Sequence, residues 1–290
     1  MKIAMTGSSG LVGSALMPIL VAAGHDVVPL KRPRDWNPDQ GTINLSAFSG
    51  VEAMIHLAGE NIASGRWTAA RKQSFLDSRL KGTRLIAETI SRMEKPPRVL
   101  VSASAIGYYG DRGNEVLIEN SAPGTGFLAE LCSQWEAATD PATRKGIRVV
   151  HLRIGLVLSP SGGALGKMLL PFKLGLGGRI GSGRQFWSWI SLDDLCGAIA
   201  HCTQATELHG PVNIVSPTPV TNSEFTKALG RALGRPTIFP VPAFALRTAL
   251  GEMADALVLA SARVEPKKLM ASRFVFRHTE LEATLRYLFH

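Results

Sequence analysis

Three glycines near the amino terminus have the spacing of a turn that binds phosphate. Gly7, Gly10 and Gly13 follow the apolar residues 3–5 and precede a segment whose apolar residues recur with a helical period. In such a turn one glycine supplies backbone freedom, a second lets a pyrophosphate approach the chain, and a third lets the helix pack on the strand. The N–H groups at the helix start then form an anion site. The alternative is an ordinary glycine-rich turn, so the neighbouring elements must decide.

The elements that follow are those of a dinucleotide-binding unit. Residues 11–23 have a helical period that ends at Gly24, and residues 25–30 (HDVVPL) predict a second strand. This strand ends in Lys31 and Arg32, where a carboxylate would bind the ribose of NAD and a cation the 2′-phosphate of NADP. Because a guanidinium offers a planar fork to phosphate oxygens, we predict NADP, with Arg32 as the phosphate ligand. The alternative is a solvated basic loop.

Strands and helices continue to alternate, which predicts an α/β fold of the doubly wound Rossmann type with a parallel sheet. A long amphipathic helix is predicted at residues 68–92. Ala58 and Gly59 close one strand with small residues, at the sheet edge where such folds bind ligands. The further predicted strands lie at residues 51–57, 98–102, 146–152 and 210–222, the last including its loop.

The last third of the chain is predicted to add helices around this sheet. Asp193 and Asp194 precede an apolar helical run and are predicted to cap that helix, and Thr221 or Asn222 is predicted to cap a helix at 223–233. The remaining predicted elements are helices at 243–262 and from Glu280, and a strand at 274–276.

Composition limits the class of protein. The 290 residues are 45% hydrophobic, which predicts a globular chain of one domain or one and a half, and no apolar run approaches the ~20 residues that span a bilayer. Cys132, Cys196 and Cys202 lack metal or redox spacing, so we expect buried thiols, no metal and a cytoplasmic location. The basic residues are dispersed despite a net charge of +9, so we expect no nucleic-acid and no membrane partner.

Several motifs resemble those of extended short-chain dehydrogenases/reductases of the epimerase and dehydratase type. TGSSGLVG from Thr6 is similar to the family's TGxxGxxG, and HLAG from His56 to its NxAG-like element. SASAIGYYG from Ser102 is similar to the serine-bearing strand, and WISLDDL from Trp189 to the W-I-x-x-D-D-L segment. Longer segments, among them FLAELCSQWEAA and LGLGGRIGSGRQFWSWI, resemble the YfcH-like epimerase family, whose members carry a small extra C-terminal domain. The resemblance covers nearly the whole chain.

The resemblance implies a Rossmann domain and a smaller C-terminal substrate lobe. The glycine-rich stretch 155–183 would then fold over a ligand, and Arg184 and Trp187 would bind an anionic or ring-bearing substrate. The alternatives are a flexible surface connection for this stretch and core positions for Trp187 and Trp189. The predicted division is an NADP-binding domain of residues 1–165 and 185–225 and a substrate lobe of residues 166–184 and 226–290.

The usual acid/base pair of these dehydrogenases is absent. It consists of a tyrosine that exchanges a proton with the substrate and a lysine four residues on that lowers the tyrosine pKa. None of the three tyrosines here is followed by such a lysine, and the corresponding helix begins Phe127-Leu128-Ala129-Glu130-Leu131. Ser104 and Tyr108 are the catalytic candidates, with structural roles as the alternative for both. Glu130 is a weaker candidate for an acid/base.

These features favour an NADP-dependent oxidoreductase or epimerase-like enzyme acting on a small, anionic metabolite. The alternative is a catalytically silent NADP-binding sensor or interaction protein, and homodimer formation is left open. The predicted cofactor contacts are Thr6, Gly7, Gly10, Leu11, Val12, Gly13, Lys31, Arg32, Leu57, Ala58, Gly59, Arg79, Ser102, Ala103, Arg153, Ile154 and Leu156.

Overall fold

The computed structural model describes residues 1–289, and its centre is a six-stranded parallel sheet. The strands are β1 (Lys2–Thr6), β2 (Asp26–Leu30), β3 (Ala53–His56), β4 (Val99–Ala105), β5 (Arg148–Ile154) and β6 (Gly210–Ile214). Their spatial order is β6-β5-β4-β3-β1-β2. The sheet thus grows from β1 first to one side and then to the other, which confirms the doubly wound Rossmann fold.

Helices cover both faces of this sheet. Alternate side chains of β1 point to opposite faces, so Ile3 and Met5 pack with Leu16, whereas Ala4 packs with Ile86. The first face carries α1 and α6, and the second carries α2. In the described residues the helices are α1 (Leu11–Ala22), α2 (Ala69–Arg92), α3 (Phe127–Ala137), α4 (Asp140–Arg144), α5 (Gly163–Lys173), α6 (Leu192–Gln204), α7 (Asn222–Leu233), α8 (Ala243–Leu250), α9 (Lys267–Ala271) and α10 (Leu281–Phe289).

Short strands tie the loops together outside the sheet. Two pairs are antiparallel and two are parallel. The antiparallel pairs are Trp36–Asn37 with Thr42–Ile43 and Phe186–Trp187 with Val220–Thr221. The parallel pairs are Leu156–Leu158 with Trp189–Ser191 and Val116–Leu117 with Arg263–Val264.

A separate hydrophobic core joins segments that the sequence assigned to different domains. Leu165 and Phe172 of α5 pack in one cluster with Trp187, Phe225 of α7 and Leu285 of α10. The predicted domain boundaries pass through this cluster and stay a prediction. No helix among residues 1–289 is both long enough and apolar enough to cross a membrane.

Two predicted elements in the last third of the chain are wrong. The helix predicted over 243–262 is interrupted, because α8 ends at Leu250 and Gly251 adopts a positive φ of 63°. A single π-helical turn, Ala254–Leu259, follows. Residues 274–276 form no strand, since the aromatic side chains of this segment pack against the main core without pairing their backbone.

The helix caps partly differ from prediction. Ser191, rather than either aspartate, caps α6 by accepting the N–H of Asp194 at 3.1 Å. The Asp194 carboxylate instead accepts the N–H groups of Arg277 at 2.8 Å and His278 at 2.9 Å, and so fastens the C-terminal segment to α6. Thr221 caps α7 in a capping box, as predicted.

Candidate functional site

The glycine turn after β1 leaves no room for side chains. Gly7 has a φ of 72°, and a Cβ there would lie 2.7 Å from the carbonyl carbon of Leu57. A Cβ on Gly13 would lie 2.2 Å from the carbonyl oxygen of Gly7. Gly10 is the N-cap residue of α1 and has no side chain that could accept a hydrogen bond. The first N–H groups of the helix are therefore not capped by a side chain. The turn therefore presents backbone donors at a close approach of β1, β3 and α1.

The end of β2 presents cations beside this turn. Lys31 and Arg32 are exposed, and the Arg32 guanidinium carbon lies 4.3 Å from the centroid of the Trp36 ring. Asp35, the first carboxylate after the strand, is buried and accepts the N–H of Lys31 at 2.8 Å. Arg34 also binds Asp35 at 2.8 Å, and this hydrogen bond, with that of Lys31, lowers the Asp35 pKa. The Asp35 carboxylate therefore stabilises the loop through Lys31 and Arg34. Arg32 remains the cation beside the glycine turn.

Arg79 lies behind the turn that follows β3. Its guanidinium is buried, lies 4.9 Å from the centroid of the Trp135 ring and donates to the backbone oxygen of Glu60 at 3.0 Å. A second bond runs to the oxygen of Phe75 at 3.3 Å. A Cβ on Gly59 would lie 3.6 Å from the Arg79 guanidinium carbon, so this arginine supports the backbone of the turn. Its predicted contact with the cofactor stays a prediction.

His56 ends β3 on the buried face of the sheet. Its Nδ1 lies 2.7 Å from the hydroxyl of Thr6, and its Nε2 has no partner in the described residues. Burial, and to a smaller extent the charge of Arg32, lowers the His56 pKa to about 3, so the ring is neutral. Ser102 is its register partner on β4, and the buried Ser102 hydroxyl also lacks a partner there.

A buried ion pair lies at the ends of β4 and β5. Arg153 donates from Nε to one oxygen of Glu136 and from Nη2 to the other, each at 2.8 Å. Ser104, the register partner of Arg153, donates its hydroxyl to the same carboxylate at 2.7 Å. Burial opposes the Arg153 charge, but the hydrogen bonds to Glu136 outweigh it and raise the Arg153 pKa. The three side chains thus form a fixed unit on the α3 side of the sheet.

The two adjacent tyrosines have different surroundings. Tyr109 is buried, donates to Asn213 at 2.7 Å and accepts from Arg153 at 3.0 Å, and burial raises its pKa. Tyr108 is only partly buried, and its ring lies face to face with the cation, with 3.4 Å from its centroid to the Arg153 guanidinium carbon. Tyr109 is therefore held in the framework, whereas the Tyr108 phenol makes no hydrogen bond within residues 1–289.

The helix that lacks the tyrosine and lysine carries other residues into the site. Phe127 packs edge-on against Trp67, with 5.3 Å between ring centroids, and Leu131 is fully buried. Glu130 is exposed on α3 and makes no contact with the Ser104 unit, which weakens its candidacy. Glu136 is the residue that sequence reasoning missed. Its signal was the spacing of four from buried Cys132, which places Glu136 on the inward face of α3.

Other predicted residues have clear positions. Both Trp187 and Trp189 are core residues, which was the alternative, and the Trp187 indole donates to the backbone of Val258 at 3.2 Å. The substrate contact of Trp187 stays a prediction. Arg184 is exposed. The cysteines are free and buried, as predicted, and burial raises each thiol pKa to about 12. Apart from Arg79, the predicted cofactor contacts lie in the carboxyl-terminal parts of β1, β4 and β5, in the segments after β1, β2, β3 and β5, or in the first turn of α1. Their contacts with a ligand stay predictions.

A sheet of this strand order, with a glycine turn after β1 and cations after β2, defines a dinucleotide-binding protein of the Rossmann class. The chain belongs to the NAD dependent epimerase/dehydratase family, whose model matches residues 3–215. A model for a domain of unknown function, DUF1731, matches residues 241–288. These matches confirm the resemblance found in the sequence and a nicotinamide dinucleotide as the class of cofactor.

Relatives are known from bacteria and animals. Epimerase family protein Mb2239 of Mycobacterium bovis is 45% identical over 292 residues, which cover 98% of this chain and 96% of that protein. The crystal structure of human epimerase family protein SDR39U1 (isoform2) with NADPH is 36% identical, with a TM-score of 0.90 and 99% of each chain covered. The nucleoside-diphosphate sugar epimerase of Corynebacterium glutamicum is 34% identical, with a TM-score of 0.82; the match covers 100% of this chain and 58% of that one.

Proposed function

We propose that this chain binds NADP(H) and transfers hydride to or from a small anionic metabolite. The observation that carries the proposal is the closed glycine turn, where a Cβ at Gly7 or Gly13 would overlap backbone, beside the cations that follow β2. The N–H groups of this turn would hold the pyrophosphate, and Arg32 would hold the 2′-phosphate. The human relative crystallised with NADPH supports the same choice of cofactor.

The cofactor, when bound, supplies or accepts the hydride. Tyr108 is the proton donor in this proposal, because it is the phenol at the strand ends that the framework leaves accessible. The Arg153 guanidinium lies against the Tyr108 ring and holds the phenol in position at the strand ends. Ser104 already donates to Glu136, so its oxygen is left to accept a hydrogen bond from a substrate hydroxyl.

The anionic character of the substrate is supported by charge rather than by a defined pocket. Arg184 is exposed in the glycine-rich region that follows β5, and the chain as a whole carries a net charge of +9. The Arg153 fork is occupied by Glu136, so this arginine positions Tyr108 and does not bind the substrate anion. The relative described as a nucleoside-diphosphate sugar epimerase supports a phosphorylated substrate. The buried thiols support a cytoplasmic setting.

A panel of phosphorylated and nucleotide-linked carbonyl compounds tests this function through NADPH oxidation. For a compound that is reduced, Tyr108→Phe is expected to lower kcat by roughly 10²- to 10⁴-fold, the usual contribution of a general acid, with unchanged NADPH affinity. Tyr287→Phe, which alters an exposed tyrosine on α10, is the matched control and keeps the wild-type rate. Equal rates for wild type and Tyr108→Phe would remove Tyr108 from the mechanism.

A second candidate is an NADP-binding sensor without catalysis. It is favoured by the Phe127 and Leu131 positions and by a Ser104 hydroxyl already bonded to a carboxylate. In this case NADPH raises the melting temperature and changes binding of a protein partner, while no compound of the panel is reduced. Turnover that depends on Tyr108 would exclude the sensor.

A further inference from the structure

The net charge of the chain is concentrated in two segments. Residues 160–192 contain four lysines and arginines, residues 225–251 contain four more, and neither segment contains an aspartate or glutamate. The whole chain has 32 basic and 23 acidic residues, so everything outside these segments holds 24 basic and 23 acidic residues. Eight of the nine net positive charges therefore come from these two segments. The basic residues are dispersed along the sequence, but the acidic ones are not.

The two segments lie side by side. Gly178 forms an antiparallel bridge with Ile238, and Ile180 forms a parallel bridge with Val241. A Cβ on Gly178 would overlap the carbonyl oxygen of Phe239, so the backbones of the two segments are in close contact. The helices α5 and α7, which flank these bridges, pack in the same hydrophobic cluster. Cations of both segments therefore lie near these bridges, although Arg247 pairs with Asp255 and Lys167 donates to the backbone of Ala63.

Large apolar side chains are exposed on the same surface. Three come from α5 and the turn after it, and three from the segment that pairs with that turn and from the start of α8. Each is between 53% and 72% exposed. They are Leu170, Leu174, Leu176, Ile238, Phe239 and Phe244, which we call the apolar patch.

A cationic groove lies next to the patch. It has a volume of about 300 Å³ and is lined by Lys227, Arg231 and Arg235, with Pro236 and Thr237 leading directly to the patch. Arg231 forms an ion pair with Glu282 at 2.6 Å. Lys227 and Arg235 contact no carboxylate in the part of the chain that the structure describes, and neither does Lys173 beside the patch. The groove is thus suited to phosphate oxygens.

We propose that the apolar patch and the cationic groove together bind the surface of an anionic phospholipid bilayer. The groove accepts the phosphate of a headgroup, and the apolar patch enters the interfacial region. A second copy of the chain fits poorly, because a two-fold contact would bring like charges together. Nucleic acid fits poorly too, because four of the six patch residues are leucine or isoleucine, which cannot stack on bases. In this proposal the chain binds the surface of a bilayer without crossing it. The proposal replaces the expectation from the sequence that the chain has no membrane partner.

Vesicle co-sedimentation with the full chain tests the proposal. The protein is expected to bind vesicles that mix phosphatidylglycerol with phosphatidylcholine, to bind pure phosphatidylcholine vesicles far less, and to dissociate as salt rises. K173Q combined with R235Q is expected to weaken binding to anionic vesicles on the order of 25-fold, since two surface cations are lost. I238S combined with F239S is expected to weaken it by at least tenfold.

Matched controls lie outside the two basic segments. R144Q with K145Q removes two exposed cations on and after α4, and V275S removes an exposed apolar residue; both keep wild-type binding. Unchanged NADPH affinity in every variant shows that the fold is intact. The proposal is overturned if wild type ignores anionic vesicles, if the controls weaken binding as much as the test variants, or if sedimentation velocity shows that I238S with F239S only dissociates a dimer.

Discussion

At the ends of β1 and β3 the chain approaches itself through backbone, beside the cations that follow β2, whereas at the ends of β4 and β5 it does so through charged side chains. Gly7 and Gly13 occupy places where a Cβ would overlap a peptide group. Arg153, Glu136 and Ser104 instead fill their space with a hydrogen-bonded ion pair. We call these regions the backbone half and the side-chain half of the site.

The difference explains why the backbone half tolerates many changes in the surrounding sequence, whereas the side-chain half does not. A backbone cradle binds a pyrophosphate through N–H groups, so this function is kept when the surrounding side chains vary. The side-chain half depends on three residues from β4, α3 and β5, each of which needs the others. Its chemistry can therefore change when a few residues change, as the absence of the tyrosine and lysine pair shows.

The backbone half is broken by a single methyl group. Gly13→Ala places a Cβ 2.2 Å from the Gly7 oxygen and 2.8 Å from the Ser8 Cα, and backbone cannot move aside. We expect a loss of more than about 4 kcal/mol in the free energy of unfolding and no measurable NADPH binding. Gly197→Ala is the control, since its Cβ meets Phe274 at an ordinary 3.5 Å. Calorimetry showing equal melting temperatures for both variants would contradict the close approach.

The side-chain half is broken by removing one charge. Glu136→Ala leaves the buried Arg153 without a counter-ion and is expected to cost about 3–5 kcal/mol in the free energy of unfolding. Replacing both with apolar residues, Glu136→Leu with Arg153→Met, is expected to cost less than the single variant, because no buried charge remains. Glu88→Gln, on an exposed helix pair, costs at most about 0.5 kcal/mol. Denaturant titration measures all three, and a small loss for Glu136→Ala would show that water already reaches the pair.

Between the halves, His56 makes stability depend on pH. Its pKa is about 3 in the folded chain, against an ordinary 6.5, so the unfolded chain takes up the proton first as the pH falls below 6.5. Stability that is present above pH 6.5 is then lost progressively toward pH 3. Between pH 7 and pH 4 the wild type is expected to lose about 3 kcal/mol more than His56→Gln. His209→Gln, at an exposed histidine, keeps the wild-type dependence. Parallel curves for wild type and His56→Gln would contradict a neutral buried ring.

The sequence was sufficient for the backbone half and insufficient for the other. Glycine spacing, strand periodicity and the Lys31-Arg32 pair are local signals, and they led to the doubly wound parallel sheet and the class of cofactor. The Ser104 unit joins residues 32 and 17 positions from Glu136, so no local pattern contains it. The strand predicted at residues 274–276 was wrong for a related reason. Phe274 and Phe276 have residue types that are typical of strands, but packing on the core determines their positions.

The central claim, an NADP(H) site in the backbone half, is tested most directly by titrating NADPH and NADH into the wild type and two arginine variants. Wild type is expected to prefer NADPH by at least about tenfold, roughly 1.4 kcal/mol. Arg32→Ala is expected to remove that preference with unchanged NADH affinity. Arg34→Ala, whose side chain is held by Asp35, keeps most of the preference. Equal affinities for NADPH and NADH in the wild type, or a preference that survives Arg32→Ala, would contradict the account.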